Sequence, residues 1–156
     1  MTRSETLKLD DAAAMAEVHG LAFLRSEAWS VAAFNDLLTQ TTTHAEGLFV
    51  GGRLQAFLVI QFVAGEAEIL TLATMPEARQ LGHAGQVLRE LEQKLRTLGL
   101  NKWLLDVAAD NIGAIAFYKK HGFQVDGRRS NYYKRLEGER VDAILMSKPV
   151  GGQITK

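Results

Sequence analysis

The chain of 156 residues has no cysteine, which excludes disulfide bonds, thiolate metal ligands and a cysteine nucleophile. It also lacks a net charge, because 18 basic residues balance 18 acidic ones, so neither direct nucleic-acid binding nor attraction to an anionic membrane is expected. No apolar run approaches the roughly 20 residues of a membrane span. Residues 1–6 lack the basic-then-apolar order of a signal peptide, so a cytoplasmic location is expected.

Histidine is scarce as well, and its spacing does not suggest a metal site. The four histidines are scattered without the intervals typical of metal ligands: His19, His44, His83 and His121. What remains is an ordinary globular composition, 47% hydrophobic and 23% charged. The length predicts one domain over residues 1–150, with residues 151–156 as a flexible tail.

A strand, a glycine-bearing loop and a helix follow one another in the middle of the chain. Residues 69–73 suit a buried strand, and Pro76 ends it because proline cannot donate to a strand ladder. Gly82 and Gly85 permit a tight backbone path before a helix. The helix has one apolar face and ends before Gly99, and the residues of that face are Val87, Leu88, Leu91, Leu95 and Leu98.

Such a loop places free backbone N–H groups and the positive end of a helix dipole together, which favours a phosphate or pyrophosphate. Arg79 and His83 could add positive charge. The loop is not a P-loop, because no Gly-Lys-Ser/Thr follows, and it lacks the three-glycine spacing of dinucleotide-binding folds. A purely structural loop is the alternative.

The remaining patterns predict an α/β (α+β) fold with the element order ααβββαβαββ, a mixed sheet flanked by helices. The two N-terminal helices precede a polar loop at residues 39–46 and are separated by a turn at residues 23–29. The predicted strands are residues 48–50, 54–63, 67–74, 103–108, 123–125 and 141–146. The run at residues 54–63 is almost continuously apolar, as in a central strand buried on both faces.

A second motif lies where the fourth predicted strand runs into the last helix. Asp106 stands near the end of the strand, and Asn111, Ile115 and Tyr118 fall on one face of the helix. Asn111 could present its amide to a ligand, with Tyr118 two turns further along. The alternatives are that Asn111 caps the helix, that Tyr118 is a core aromatic and that Asp106 is an ordinary strand-end acid.

The chain resembles the GNAT acetyltransferases over nearly its whole length. The resemblance rests on Arg79-x-x-Gly82-x-Ala84, on the second motif with its Gly122-Phe123 ending, and on the element order. Within the family it looks like the bacterial ribosomal-protein-alanine N-acetyltransferases of the RimI type. The segments that carry this finer likeness are Trp29-Ser30, the Arg-Arg-Ser-Asn-Tyr-Tyr run at residues 128–133 and Asp-Ala-Ile-Leu-Met at residues 142–146.

The resemblance implies direct acetyl transfer from acetyl-CoA to the α-amino group of an N-terminal alanine on a protein, such as a small-subunit ribosomal protein. The implied cofactor-binding residues are Leu72, Ala73, Thr74, Arg79, Gln80, Leu81, Gly82, His83, Ala84, Gly85, Asn111 and Tyr118. The implied proton acceptor is Asp106 and the implied proton donor is Tyr118. The implied substrate-binding residues are Trp29, Arg129, Tyr132 and Tyr133. The tyrosines could instead pack the hairpin, with the arginines on a solvated edge.

Several positions depart from the family pattern. Asp106 replaces the usual Glu, His83 replaces a Gly or an apolar residue, Ala28 replaces a Pro, and Ser130 is an extra residue. Glu68 is a second candidate base, because the resemblance to histone-acetylating relatives places a catalytic Glu there. On that hypothesis, Glu68→Gln lowers turnover more than Asp106→Asn does.

Three other functions stay open at this stage. The first is acetylation of a small-molecule amine or a lysine side chain; the paired tyrosines and adjacent arginines favour a peptide over a small amine. The second is a non-catalytic acyl-CoA-binding module, which would not need Tyr118 as a proton donor. The third is a nucleotide-binding protein, which fits the glycine loop alone.

Overall fold

A computed structural model describes residues 2–23, 27–135 and 138–150. The predicted tail and residues 24–26 of the predicted turn lie outside these ranges. The described chain forms a seven-stranded mixed sheet with the strand order β1-β2-β3-β4-β5-β7-β6. The strands are β1 Thr2–Thr6, β2 Thr43–Val50, β3 Arg53–Val63, β4 Glu66–Thr74, β5 Lys102–Ala108, β6 Gln124–Lys134 and β7 Arg140–Pro149. The helices are α1 Ala12–Ala22, α2 Val31–Leu38, α3 His83–Thr97 and α4 Ile112–Lys120.

Two apolar cores lie on opposite faces of the sheet. Phe57 and Val59 of β3 pack with α1 and α2, whereas Leu58 and Ile60 pack with α3 and α4. Because successive side chains of a strand point to opposite faces, a nearly continuous apolar run is what a strand between two cores requires. The prediction of a central strand buried on both faces is therefore confirmed.

A bulge in β4 changes which face its side chains meet. Val59 and Ile60 of β3 pair with Thr71 and Ile69 of β4, so that Leu70 is an extra residue on the bulged strand. Ile69 packs in the α3 core, whereas Ala73 packs in the α1 core. The bulge therefore turns the second half of β4 over and directs Thr71 towards α1.

The sheet opens between β4 and β5. All of its other strand pairs are antiparallel, but this pair is parallel and spans only Glu66–Glu68 against Lys102–Leu104. Beyond Glu68 and Leu104, β4 and β5 continue towards Thr74 and Ala108, but in the described chain they no longer pair with each other. The result is a cleft at the carboxyl ends of these strands.

The element order differs from the prediction at the edges of the sheet. Strand β1 was not predicted, and β2 begins at Thr43 inside the segment predicted as a loop. Strand β6 extends to Lys134, well beyond the predicted residues 123–125. Both β1 and β6 are edge strands with mostly exposed side chains, so they lack the apolar periodicity on which strand prediction depends.

Candidate active site

Two adjoining cavities of about 610 and 580 Å³ occupy the cleft between β4 and β5. They share four lining residues, Phe23, Glu27, Leu72 and Asn111. The larger cavity is lined both by residues of α1 and the segment that follows it and by residues of α4, so it connects the two faces of the sheet. The site can therefore admit two ligands from different sides and bring them together between the strands.

Asp106 and Tyr118 both line the larger cavity. Asp106 is on β5, and its side chain is 20% exposed, with Oδ2 3.9 Å from Nη1 of Arg129. Tyr118 is on α4 and is buried against Phe117 and Phe123. Burial raises the pKa of the Tyr118 hydroxyl, which therefore keeps its proton at neutral pH. The cavity thus brings a carboxyl side chain and a protonated phenol together.

Tyr133 is the one residue of the predicted tyrosine pair that lines the cavity. Burial, and then the negative charge of Asp106, raise the pKa of Tyr133 to about 12. Strand β6 bulges just before Tyr133. Three residues separate Arg129 from Tyr133 on β6, whereas only Asp142 separates their partners on β7. Asp142 accepts hydrogen bonds from Arg128 Nε at 2.6 Å and from the Asn131 N–H at 2.8 Å.

Arg129 and Tyr132 lie at the outer edge of the site. Tyr132 is 46% exposed, and the Arg129 guanidinium lies over its ring, 5.0 Å from the centroid. Neither residue lines the described cavities, although Arg129 reaches towards Asp106. On the opposite wall, Trp29 does line the larger cavity.

Asn111 has two roles at once. Its Oδ1 accepts a hydrogen bond from the Ala114 N–H at 3.2 Å, so it is the N-cap of α4. It also lines both cavities. The cap uses the side-chain oxygen, which leaves the NH2 group as the part of the amide that could contact a ligand.

The second cavity ends at the glycine loop. Leu72, Ala73, Thr74, Arg79 and Ala84 line it. Gly82, at φ 83°, is the N-cap of α3 and has no side chain with which to satisfy the first helical N–H groups. Those groups and the helix dipole therefore remain suited to an anion.

The other predicted residues of this region do not line either described cavity. They are Gln80, Leu81, Gly82, His83 and Gly85 of the loop and helix start, together with Glu68 of β4. Glu68 lies at the closed end of the cleft, where it pairs with Gln61 and Leu104. The structure therefore brings Asp106, but not Glu68, to the cavity beside Tyr118.

Two groups of residues at the site were not predicted from the sequence. His19 and Thr71 form a hydrogen-bonded pair in the wall of the larger cavity, at an Nε2 to Oγ1 distance of 3.0 Å. Arg135 bridges Glu27 at 3.0 Å and Asp110 at 2.5 Å, and so joins the segment after α1 to the loop before α4. A histidine on the apolar face of α1 was the available signal for the first group. The second group depends on contacts between distant segments.

Among the described residues, no group of three or more His, Asp or Glu side chains is arranged to hold a metal ion. Every helix in the described ranges also falls short of the length and apolar character that crossing a membrane would require.

Comparison with known proteins gives a consistent picture. The pattern of the acetyltransferase (GNAT) family matches residues 12–123. The chain is similar to N-alpha-acetyltransferase RimI of Mycobacterium tuberculosis, with 32% identity over 90% of this chain and 88% of that protein. It is 35% identical to the ribosomal protein bS18-alanine N-acetyltransferase of Escherichia coli (strain K12) over 64% of this chain, and the match spans 66% of that relative.

The fold comparison extends over the whole chain. The crystal structure of the ribosomal-protein-S18-alanine N-acetyltransferase from Escherichia coli is similar, with a TM-score of 0.87 and 28% sequence identity. The alignment covers 100% of both chains.

Proposed function

Because the chain belongs to the GNAT acetyltransferase family, we propose that it transfers the acetyl group of acetyl-CoA to the α-amino group of an N-terminal alanine on a protein. A small-subunit ribosomal protein is the proposed partner, by analogy with the relatives of that name. The observation that carries the proposal is the cleft between β4 and β5, where Asp106 and Tyr118 line one cavity that opens to both faces of the sheet. The cytoplasmic location expected from the sequence remains a prediction.

The residues present fit acetyl-CoA as co-substrate. Leu72 to Thr74 pair with β3 but not with β5, so their backbone groups on the β5 side can hold the pantetheine arm, and the start of α3 can hold the pyrophosphate. Arg79 lines the same cavity and can add a positive charge. Bound acetyl-CoA supplies a thioester that is already activated for transfer.

Asp106 accepts the proton that the attacking amine releases. Aspartate is one methylene shorter than the family's glutamate, so we assign a bridging water between its carboxylate and the amine. An α-amino group has a pKa of about 8, against about 10.4 for lysine, so far more of it is neutral at pH 7. A weaker base is therefore sufficient for an N-terminus, which favours this substrate over lysine.

Tyr118 donates to the leaving sulfur. Its buried hydroxyl remains protonated, so it can stabilise the thiolate by a hydrogen bond and deliver the proton. Trp29 and Tyr133 form aromatic walls on the acceptor side of the cavity. Such walls suit the first residues of a peptide chain. The two rings can pack against the peptide backbone, while the indole N–H and the phenol O–H donate hydrogen bonds to it.

The test uses two peptides and mass spectrometry of the products. One peptide has a free N-terminal alanine and no lysine, and the other has a blocked N-terminus and internal lysines. The proposal predicts acetylation of the first peptide only. Modification of the second alone would establish a lysine acetyltransferase, and turnover of small amines alone would establish a small-molecule enzyme. Binding of acetyl-CoA with no turnover on any amine would indicate a non-catalytic module.

A further inference from the structure

His19 occupies an unusual position for a histidine, inside an apolar core and in the wall of the larger cavity. It is 1% exposed and lies on the face of α1 that also buries Met15 and Val18. Its ring is stacked between Phe23 and Trp29, at centroid distances of 4.2 and 5.0 Å. Phe23 and Trp29 line the cavity as well. We refer to Phe23 and Trp29 as the acceptor wall.

Both ring nitrogens of His19 have a partner in a different segment. Nδ1 is 3.0 Å from the backbone nitrogen of Trp29, and Nε2 is 3.0 Å from Oγ1 of Thr71. A backbone N–H can only donate, so Nδ1 is the acceptor and the proton of the neutral ring is on Nε2, which donates to Thr71. Burial lowers the pKa of His19 to about 4, which keeps this neutral form at physiological pH.

The two hydrogen bonds connect parts of the site that are otherwise separate. Trp29 belongs to the segment between α1 and α2, whereas Thr71 is in the bulge of β4, next to Leu72. Leu72 is shared by both cavities. The imidazole therefore holds the acceptor wall at a fixed distance from β4, the strand that lines the second cavity.

We propose that His19 is a positioning residue for the acceptor: it fixes Trp29 and Phe23 so that the incoming amine meets the thioester in a productive orientation. This inference rests on the proposed function, since it assigns a role within that same site. Its distinguishing consequence is selective, because Trp29, whose N–H donates to His19, lines only the larger of the two cavities, while Arg79 lines only the other. Phe23 lines both cavities, so the selectivity rests on Trp29. A histidine that served only the stability of the core would not separate the two substrates.

Two substitutions separate the two hydrogen bonds. The side-chain oxygen of His19→Asn can take the position of Nδ1 and keep the bond from Trp29, whereas the amide of His19→Gln reaches the position of Nε2 and keeps only the bond to Thr71. We expect His19→Gln to raise the peptide KM about tenfold, the effect of losing roughly one hydrogen bond. The acetyl-CoA KM should change less than about twofold, and His19→Asn should restore most of the peptide KM.

The matched control is Met15→Ala, which removes volume from the buried face of α1 that also holds His19, because Met15 lines neither of the two cavities. If Met15→Ala raises the peptide KM as much as His19→Gln does, or if the KM values of both substrates rise together, His19 has only a structural role. The same conclusion follows if His19→Asn is no better than His19→Gln.

A second readout does not depend on the identity of the acceptor. The chain has two tryptophans, so a Trp103→Phe background leaves Trp29 as the only indole fluorophore. In this background, His19→Gln should make Trp29 emission more accessible to acrylamide, and His19→Asn should not. Failure of the proposed function would show as absent peptide turnover in the unmodified protein, with this fluorescence difference intact. Equal quenching in all three proteins would overturn the positioning role itself.

Discussion

Asp106 and Glu68 are the two carboxylates that the sequence offers as proton acceptors for the attacking amine, and they lie at different depths of the cleft. Asp106 lines the larger cavity with Tyr118, whereas Glu68 lies where β4 and β5 still pair. We therefore expect Asp106→Asn to lower kcat/KM about 10²-fold, as for loss of a general base, and Glu68→Gln to lower it less than about threefold. Initial rates at saturating acetyl-CoA measure this ranking. The reverse order would make Glu68 the base, as the resemblance to histone-acetylating relatives suggests.

Tyr118→Phe tests the proton donor with a minimal change of shape. The ring remains to pack against Phe117 and Phe123, so the stability of the fold should change little. We expect kcat to fall about 10²-fold with the affinity for acetyl-CoA within about threefold, because the hydroxyl acts mainly on the leaving thiolate. Calorimetric titration with acetyl-CoA provides the affinity. An unchanged kcat would remove Tyr118 from the chemistry.

His19 also predicts a pH dependence of stability. Its pKa is about 4 in the folded protein because the ring is buried, against about 6.5 in the unfolded chain, so between these values only the unfolded chain binds the proton. Stability should therefore fall as pH decreases from 7 to 4, by roughly 3 kcal/mol at most from this residue. Urea unfolding at pH 7 and pH 4.5 measures the effect, and His19→Gln should show a smaller loss between the two. An equal loss would assign it to other groups.

Local sequence patterns could identify Asn111 and Tyr118 but not their surroundings. The helical spacing places both on one face of α4, and the structure agrees, with Asn111 as both cap and lining residue. Patterns within one segment could not show that β6 bulges beside Asp142 and leaves Tyr133, rather than Tyr132, in the cavity. Nor could they reveal the pairing of His19 with Thr71, which are 52 residues apart in sequence.

Among the elements, α3 and β2 are joined by a buried carboxylate. Glu46 is fully buried and accepts hydrogen bonds from Lys94 at 2.7 and 2.9 Å and from Ser4 at 2.7 Å. Burial alone would raise the pKa of Glu46, but the hydrogen bonds from His44, Lys94 and Ser4 outweigh it, so the pKa is lowered. This carboxylate therefore remains charged beneath α3, close to the sheet that supports the site.

Lys94→Met should destabilise the fold by about 2 kcal/mol, because it leaves a buried charge with fewer partners. The double variant Lys94→Met/Glu46→Gln should recover part of this loss, since the charge that needed a partner is gone. Urea unfolding of the single and double variants forms the cycle. If the double variant loses the sum of the two single effects, Lys94 and Glu46 do not interact.

At the level of elements, the centre of the sheet was predictable and its edges were not. Strand β3 lies between two cores, so both of its faces are buried and its sequence is a nearly continuous apolar run. Strand β1 has burial on neither face to impose such a pattern, and it forms by pairing Thr2–Thr6 with β2. Its position depends on backbone hydrogen bonds, for which the side chains carry little signal.

The molecule as a whole has two sheet regions joined through a short parallel contact. Strands β1–β4 form one antiparallel region and β5–β7 the other, and within the part of the chain that the structure describes only Glu66–Glu68 and Lys102–Leu104 pair as strands across the junction. The cleft opens just beyond this contact, so a ligand that fills it touches β4 on one side and β5 and α4 on the other. Ligand binding and stability of the junction should therefore be coupled.

Acetyl-CoA should stabilise the folded chain by an amount that rises with the logarithm of its concentration above Kd. At a concentration of 100 times Kd, linkage predicts about 2.7 kcal/mol, which for a domain of this size raises Tm by about 5–10 °C. Thermal unfolding measures the shift, and hydrogen exchange should show added protection of amides near Leu72 and Asp106, because the ligand bridges the strands beyond their paired segment. ATP at the same concentration is the control: it carries phosphates for the glycine loop but no pantetheine arm to reach between the strands, so its effect should be under about 1 °C. An equal shift with ATP would favour the nucleotide-binding alternative, and protection confined to the glycine loop would mean that binding at α3 does not extend into the cleft.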